Sequence, residues 1–421
     1  MAVAQPLANP LTMLRQLAPV QRRTFIAAFL GWALDAYDFF LVTFVVRDIA
    51  EEFHQSRVAV LGAITLTLML RPLGALIFGT IADRFGRRGP LMVNILFYSA
   101  LELLSGFAPT FTVFLILRAI YGIAMGGEWG VGAALALESL PAETRGFFSG
   151  VLQQGYATGY LLAAITFFLV YPHFGWRAMF FVGAAPALLV LYIRSFVPES
   201  EAWKAQKARK VGETGNLLLA FRRQPGVFIY AIVLMAAFNF MSHGSQDLYP
   251  TFLLDQHGFS VGTVTSLAII ANIGAIVGGT LFGGFSQKWG RRRAIVSAAL
   301  VGIFAIPLWV FAPSVALLAV GAFVLQFFVQ GAWGVIPIHL NELSPGEVRG
   351  TFPGFTYQFG NFLSAGAAQI EGSFAKHTFP LPDGHADYGK ALAVIMLIVF
   401  SAVAFIAAVG KERRGVDFAT D

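Results

Sequence analysis

A short polar run, Asn239, Ser242, His243, Ser245, Gln246, Asp247 and Thr251, interrupts an otherwise apolar stretch of this 421-residue chain. Asn239, His243 and Asp247 recur at i, i+4 and i+8, so on a helix they share one stripe, flanked by Ser242 and Gln246. An imidazole beside a carboxylate is a group that titrates, and amides add hydrogen-bond donors. Other ionisable residues also interrupt apolar runs: Asp35, Asp38, Arg71, Arg118 and Glu128. Asp35 and Asp38 lie about 60° apart on one helix face. Gln358 and Asn361 are spaced i, i+3.

The elements that position these groups are membrane spans. Hydrophobic residues make up 57% of the chain and charged residues 12%, with a mean hydropathy of +0.69, against roughly 25% charged in a soluble domain. Apolar runs of about 20 residues recur throughout, the length a helix needs to cross a bilayer. Twelve are expected, at 24–46, 58–81, 90–108, 111–136, 147–171, 177–197, 226–253, 261–285, 294–311, 314–338, 352–374 and 389–409. The N-terminal arginines lead into a full-length span without a small-residue cleavage site, so the first span is expected to remain. In hydrocarbon a polar stripe is costly unless it faces a cavity or neighbouring helices. Of the 29 Lys and Arg, 21 fall on the side that carries both termini, which predicts cytoplasmic termini in the cell inner (plasma) membrane.

Sliding the sequence by 204 positions lays Gly79, Gly86, Arg87, Arg88, Trp129, Glu138, Pro141, Arg145, Gly146 and Gln154 on identical residues from Gly283 to Gln358. The same shift aligns Asp35 with Asn239. The expected organisation is an all-α membrane protein of two pseudo-symmetric six-helix halves, 1–197 and 225–421. A polar, basic cytoplasmic linker at 198–224 joins them, and the site lies between the halves near mid-membrane. With no cysteine, thiol chemistry and disulfides are excluded. No nucleophile motif, phosphate loop or metal cluster is present, so neither an enzyme, a cofactor nor a metal is expected. The charge excess of +6 requires no nucleic acid.

Gly79-Thr-Ile-Ala-Asp83-Arg84-Phe-Gly86-Arg87-Arg88 resembles the loop 2–3 signature of the major facilitator superfamily, and Gly283 to Arg292 repeats it with Gln287 in place of the Asp. Asn239 to Thr251 is similar, at every specified position, to the N-x-x-S/T-H-x-S/T-Q-D-x-x-x-T signature of lactate and pyruvate proton symporters in the sialate:proton symporter family. Gly31 to Asp38, Arg71-Pro72 and Gln358 to Asn361 resemble that family too.

The resemblance implies a secondary transporter that moves a small monocarboxylate with a proton by alternating access. The alternatives are a proton symporter for a larger acid such as sialate, shikimate or an aromatic carboxylate, and a transport-dead substrate sensor. An anion needs a cation and donors in a low-dielectric cavity. Arg118, Asn239, His243, Gln246, Gln358, Asn361 and Arg71 are the candidates for substrate. Arg118 is preferred, because the glycines after it let span 4 approach its neighbours. A fixed pair with Asp35, Asp38 or Glu128 competes with that role, and an inner-gate or structural role competes for Arg71. Asp35, Asp38, Glu128, His243 and Asp247 are the candidates for the proton. Gate contacts are expected from Asp83, Arg84, Arg87, Arg88, Glu138, Arg145, Arg291, Arg292, Glu342 and Arg349. Trp129 and Trp333 are expected to be packing or cavity walls. Expected partners are the organic acid anion, a proton and membrane lipid, with a monomeric functional unit.

Overall fold

The computed structural model describes residues 10–208, 216–381 and 386–420. It is helical throughout, and among the described residues the only strand-like pairing is an isolated bridge from Pro380 to Ala386. Among them, nine helices are long and apolar enough to cross a membrane. Spans 1 to 4 are continuous: Pro19–Phe44, Arg57–Phe85, Arg88–Gly106 and Phe111–Ser139.

Spans 5 and 6 share the stretch Arg145–Phe196, broken at Gly175, whose φ of 72° is left-handed. In the C-terminal half, Pro225–Gln246, Val261–Trp289, Val315–Trp333 with Ile336–Leu343, and Tyr388–Val409 provide spans 7, 8, 10 and 12. Spans 9 and 11 are each interrupted, as Arg291–Ile303 then Ile306–Val310, and Phe352–Leu363 then Ala367–Thr378. Those interruptions keep them out of the nine long helices and complete the twelve spans. The linker holds two short helices, Glu201–Ala208 and Leu217–Arg223, and its residues 209–215 lie outside the described residues.

The repeat is visible in the backbone. Span 2 turns into span 3 at Gly86 (φ 104°) and span 8 into span 9 at Gly290 (φ 97°), a conformation that needs glycine. Spans 2 and 4 touch backbone to backbone: a side chain at Gly122 or Gly126 would overlap the carbonyls of Thr67 and Arg71. This is the close approach expected from the glycines of span 4.

Hydrogen bonds between the halves gather at the face that carries both termini. Asp83 accepts from Gly350 N (2.6 Å), Thr351 N (3.0 Å) and Thr351 Oγ1 (2.6 Å). At the related position Gln287 accepts from Gly146 N (3.0 Å) and donates to Ala142 O (2.9 Å). Ser149 donates to Gly334 O (2.8 Å) and accepts from Ile338 N (3.0 Å).

Phe418 lies buried between Arg145 and Arg349, whose guanidinium carbons stand 3.9 and 4.3 Å from its ring centroid. Arg145 also donates to Val416 O, and Arg349 to Phe418 O.

Several of the expected gate residues act within one half. Arg87 pairs with Asp83 (2.8 Å) and Glu138 (3.0 Å), and Arg291 pairs with Glu342 (2.8 Å). Arg88 donates to Arg194 O and Arg292 to Ala407 O, tying spans 3 and 9 to the ends of spans 6 and 12. Glu199 and Glu412 accept from the backbone N–H groups that open spans 3 and 9. Arg84 is exposed, while its neighbour Asp83 is buried and makes the contacts to the opposite half.

Candidate functional site

Span 1 brings Asp35 and Asp38 into the middle of the N-terminal half, where both are fully buried and none of their four carboxylate oxygens has a hydrogen-bond partner among the described residues. Glu128 of span 4 is equally buried and unpartnered, with Oε1 against Gly31 of span 1. Span 3 adds Asn94 and Tyr98, also buried with unpartnered polar atoms. Unpartnered buried polar groups are rare in proteins, and a cluster of them marks a place where protons, water or ligand are handled.

Arg118, preferred from the sequence as the substrate cation, is corrected here. It is 1% exposed, and its Nη2 donates to Glu102 Oε2 (2.7 Å) and Ser105 Oγ (2.8 Å). Its guanidinium lies over Tyr121 (4.3 Å) and between Phe114 and Phe180. The pairing partner is Glu102 of span 3, not Asp35, Asp38 or Glu128.

Arg71 has the property expected of Arg118. It is 2% exposed, and its Nε and Nη2 have no hydrogen-bond partner among the described residues. Its charge acts on Asp35 of span 1, Tyr156 of span 5 and Tyr357 of span 11, which places it between the halves. Both halves also hold buried groups without hydrogen-bond partners among the described residues: Trp32 Nε1 in one, Trp333 Nε1 and the Gln358 amide in the other. Aromatic rings wall this centre, with Trp129 to Tyr357 at 4.7 Å, Trp333 to Tyr357 at 5.5 Å and Trp32 to Tyr156 at 5.7 Å. Trp129 and Trp333 are both buried in this ring group.

The polar stripe of span 7 forms as its spacing requires. His243 Nδ1 lies 2.9 Å from Asp247 Oδ2, and both side chains are about one-third exposed. Gln246 donates to Gln326 Oε1 (3.3 Å), and Gln326 donates to Ser245 Oγ (3.1 Å). Asn239 turns its amide nitrogen back to Met235 O of its own helix (2.8 Å), which uses one of its two N–H donors. Asn361 of span 11 is buried. The stripe continues the polar centre toward the far face, since Asp247 and Arg71 both act on Tyr156.

Glu102, Asn94, Tyr98, Glu371, Tyr156 and Tyr357 are not among the residues singled out from the sequence. For Glu102 and Glu371 the signal is plain: each is a lone carboxylate in an apolar span. Ring partners such as Tyr156 and Tyr357 carry no such mark in a chain with 42 Phe and 11 Tyr.

Comparison with known proteins gives a consistent picture. A family model described as Major Facilitator Superfamily matches residues 24–368. A carboxylic acid transporter protein homolog of Saccharomyces cerevisiae is 33% identical over 96% of this chain and 70% of its own length. The sialic acid transporter NanX of Escherichia coli is 30% identical over 82% of this chain and 85% of its own. The solved structure of the proton:xylose symporter XylE superposes with a TM-score of 0.71 at 20% identity, over 94% of this chain and 97% of that one, a likeness of fold.

Proposed function

The chain belongs to the Major Facilitator Superfamily, a family of transporters and not of enzymes, and on that premise we propose that it moves a small monocarboxylate of the lactate and pyruvate class together with a proton, by alternating access. The observation that carries this reading is Arg71, a buried guanidinium with two unpartnered nitrogens beside the unpartnered carboxylate of Asp35. A carboxylate on Arg71 forms a charge-assisted pair in a low dielectric, where such pairs are strongest. Trp333 and Gln358 complete its coordination from the opposite half, so the ligand itself couples the two halves. The relatives named for carboxylic and sialic acid support an acid as substrate.

A monoanion bound with one proton adds no net charge, and the proton's place is among Asp35, Asp38 and Glu128, whose oxygens have no hydrogen-bonded cation among the described residues. Once anion and proton are seated, the charges of the centre are neutralised and the halves rock without exposing an unpaired ion to hydrocarbon. His243 and Asp247 stand at the entrance. The basic face that carries both termini is cytoplasmic on this reading, and its seal of Asp83, Thr351 and Gln287 leaves the site facing outward.

A second reading, a larger or aromatic acid, rests on a column of rings along spans 1 and 5. Tyr156 meets Phe40 at 5.0 Å, Phe40 meets Tyr160 at 4.9 Å, Phe44 meets Phe167 at 5.3 Å, and Phe167 meets Tyr171 at 4.6 Å. Such a column gives a flat substrate surfaces to slide along.

Uptake of labelled lactate into proteoliposomes under an imposed inward proton gradient tests the proposal, with benzoate and sialate as competitors. Gradient-driven lactate uptake that only small acids compete for is the expected result. A bulky acid that outcompetes lactate selects the second reading, and lactate uptake indifferent to the gradient overturns proton coupling.

A further inference from the structure

Glu371 lies in the second helix of span 11, Ala367–Thr378, is 2% exposed, and has no hydrogen-bond partner among the described residues for either carboxylate oxygen. Its Oε1 rests against Gly244 of span 7, where an added Cβ would fall 3.3 Å away. Gly244 adjoins His243, and Glu371 interacts electrostatically with both His243 and Asp247. The charges facing Glu371 come from few elements. Span 7 presents His243 and Asp247. Span 12 presents the apolar Met396 and Ile395 at this level, while its charged end pairs Lys390 with Asp387 (3.1 Å). On its own helix, Lys376 and His377 are exposed.

An isolated buried carboxylate is costly to keep where apolar residues would pack as well. Asp247 already occupies Nδ1 of His243, which leaves Nε2 as the nitrogen able to exchange a proton. We propose that Glu371 is a further proton-handling residue of the transport cycle: it takes the proton from the His243 imidazolium and returns it, while Asp247 holds the ring in place. The step breaks one N–H bond and forms one O–H bond, and it moves no electrons between groups. It gives the C-terminal half a proton station of its own, nearer the far face than Asp35 or Glu128. The inference rests on the proton-symport reading above.

The test uses the full chain in proteoliposomes, with Glu371→Gln and Glu371→Asp beside the unaltered protein and labelled lactate as probe. Two quantities are measured across pH 5 to 8: accumulation driven by a proton gradient, and exchange of internal for external lactate at equal pH, which needs no net proton movement. Glu371→Gln is expected to lose gradient-driven accumulation by about tenfold or more and to keep exchange with a flattened pH profile. Glu371→Asp is expected to restore part of the accumulation. Gradient-driven accumulation undiminished in Glu371→Gln overturns the role of Glu371 and leaves the symport reading standing. Loss of accumulation and exchange together, in protein that still elutes as a folded monodisperse species, makes Glu371 structural and likewise overturns its role. An unaltered protein that exchanges lactate but ignores the gradient overturns the symport reading, and this inference falls with it.

Discussion

The two halves share one backbone plan and one set of charges at the basic face, but deeper in the spans they hold their charges at complementary positions. Asp35, Asp38, Arg71, Glu102, Arg118 and Glu128 of the N-terminal half fall, at the offset of 204, on Asn239, Ser242, Ala275, Ile306, Ala322 and Ala332. The converse also holds: His243, Asp247 and Glu371 of the C-terminal half fall on Phe39, Thr43 and Phe167. A bundle of this kind tolerates few buried charges, because each must be solvated by its neighbours. At the basic face both halves keep the same buried charges, Arg87 and Arg291, Glu138 and Glu342, Arg145 and Arg349, but deeper in the spans the duplicated scaffold meets that limit by giving the charge of a position to one half and an apolar, amide or hydroxyl group to the other. The N-terminal half thereby concentrates fixed and protonatable charge at its centre, while the C-terminal half offers amides and rings there and puts its titratable groups toward the far face.

The strongest way to break this comparison is to give one half the residues of the other. Glu102→Ile alone leaves Arg118 buried without its partner and is expected to destabilise the fold by about 3–5 kcal/mol, read as a lowered melting temperature. Glu102→Ile with Arg118→Ala installs the apolar pair that the C-terminal half already carries, and is expected to recover most of the loss. A double variant as unstable as the single one would show that the halves are not interchangeable at this layer.

Arg71→Ala is next. It imposes the small side chain of Ala275 on the N-terminal half, and removing a charged hydrogen-bond donor worth roughly 1.5–3 kcal/mol is expected to lower lactate uptake by about ten- to a hundredfold, with melting unchanged or raised. Uptake preserved in Arg71→Ala would move the anion site elsewhere.

Thr351→Val removes one of the three donors that reach Asp83 from the opposite half while leaving Gln287 intact, so it weakens one arm of the seal only. The chain has no cysteine, so Ser139→Cys, at a half-buried position ending span 4 beside Glu138, supplies a single thiol that reports opening by its labelling rate, expected to rise about three- to tenfold. An unchanged rate would assign the seal to the other arm.

The smallest effect lies at the far rim. Burial raises the Asp387 carboxyl, but the Lys390 N–H, the Gln256 amide and the Lys390 ammonium outweigh it and hold the group below the usual carboxylate range. Because the folded value is the depressed one, the stabilisation is present above the unfolded value and fades as pH falls through the folded one. Asp387→Asn is expected to lower the melting temperature by a few degrees at neutral pH and to match the unaltered protein once the pH falls below the depressed value of Asp387.

Which features are legible in the chain follows from which interactions are local. The bond from His243 to Asp247 is written in a spacing of four, and the repeat is written in one offset, so residue order alone reveals both. The arginine that stays unpaired is not local information. Arg118 finds Glu102 because span 3 runs beside span 4 in one particular register, and Arg71 is left without a partner because span 1 presents Asp35 rather than a closer acid. The breaks in spans 9 and 11 are likewise invisible to a hydropathy window, which averages over the two or three residues that carry them.

Phe418 gives the seal on the basic face a property that paired hydrogen bonds alone do not confer. Asp83 and Gln287 each fasten a separate corner, and separate fasteners release one at a time. A single ring gripped by one guanidinium from each half has no half-released state that keeps both contacts. Parting the two halves at that face strips the ring from at least one of the two guanidiniums, which makes the C-terminal tail a rivet through the seal rather than a bystander beside it.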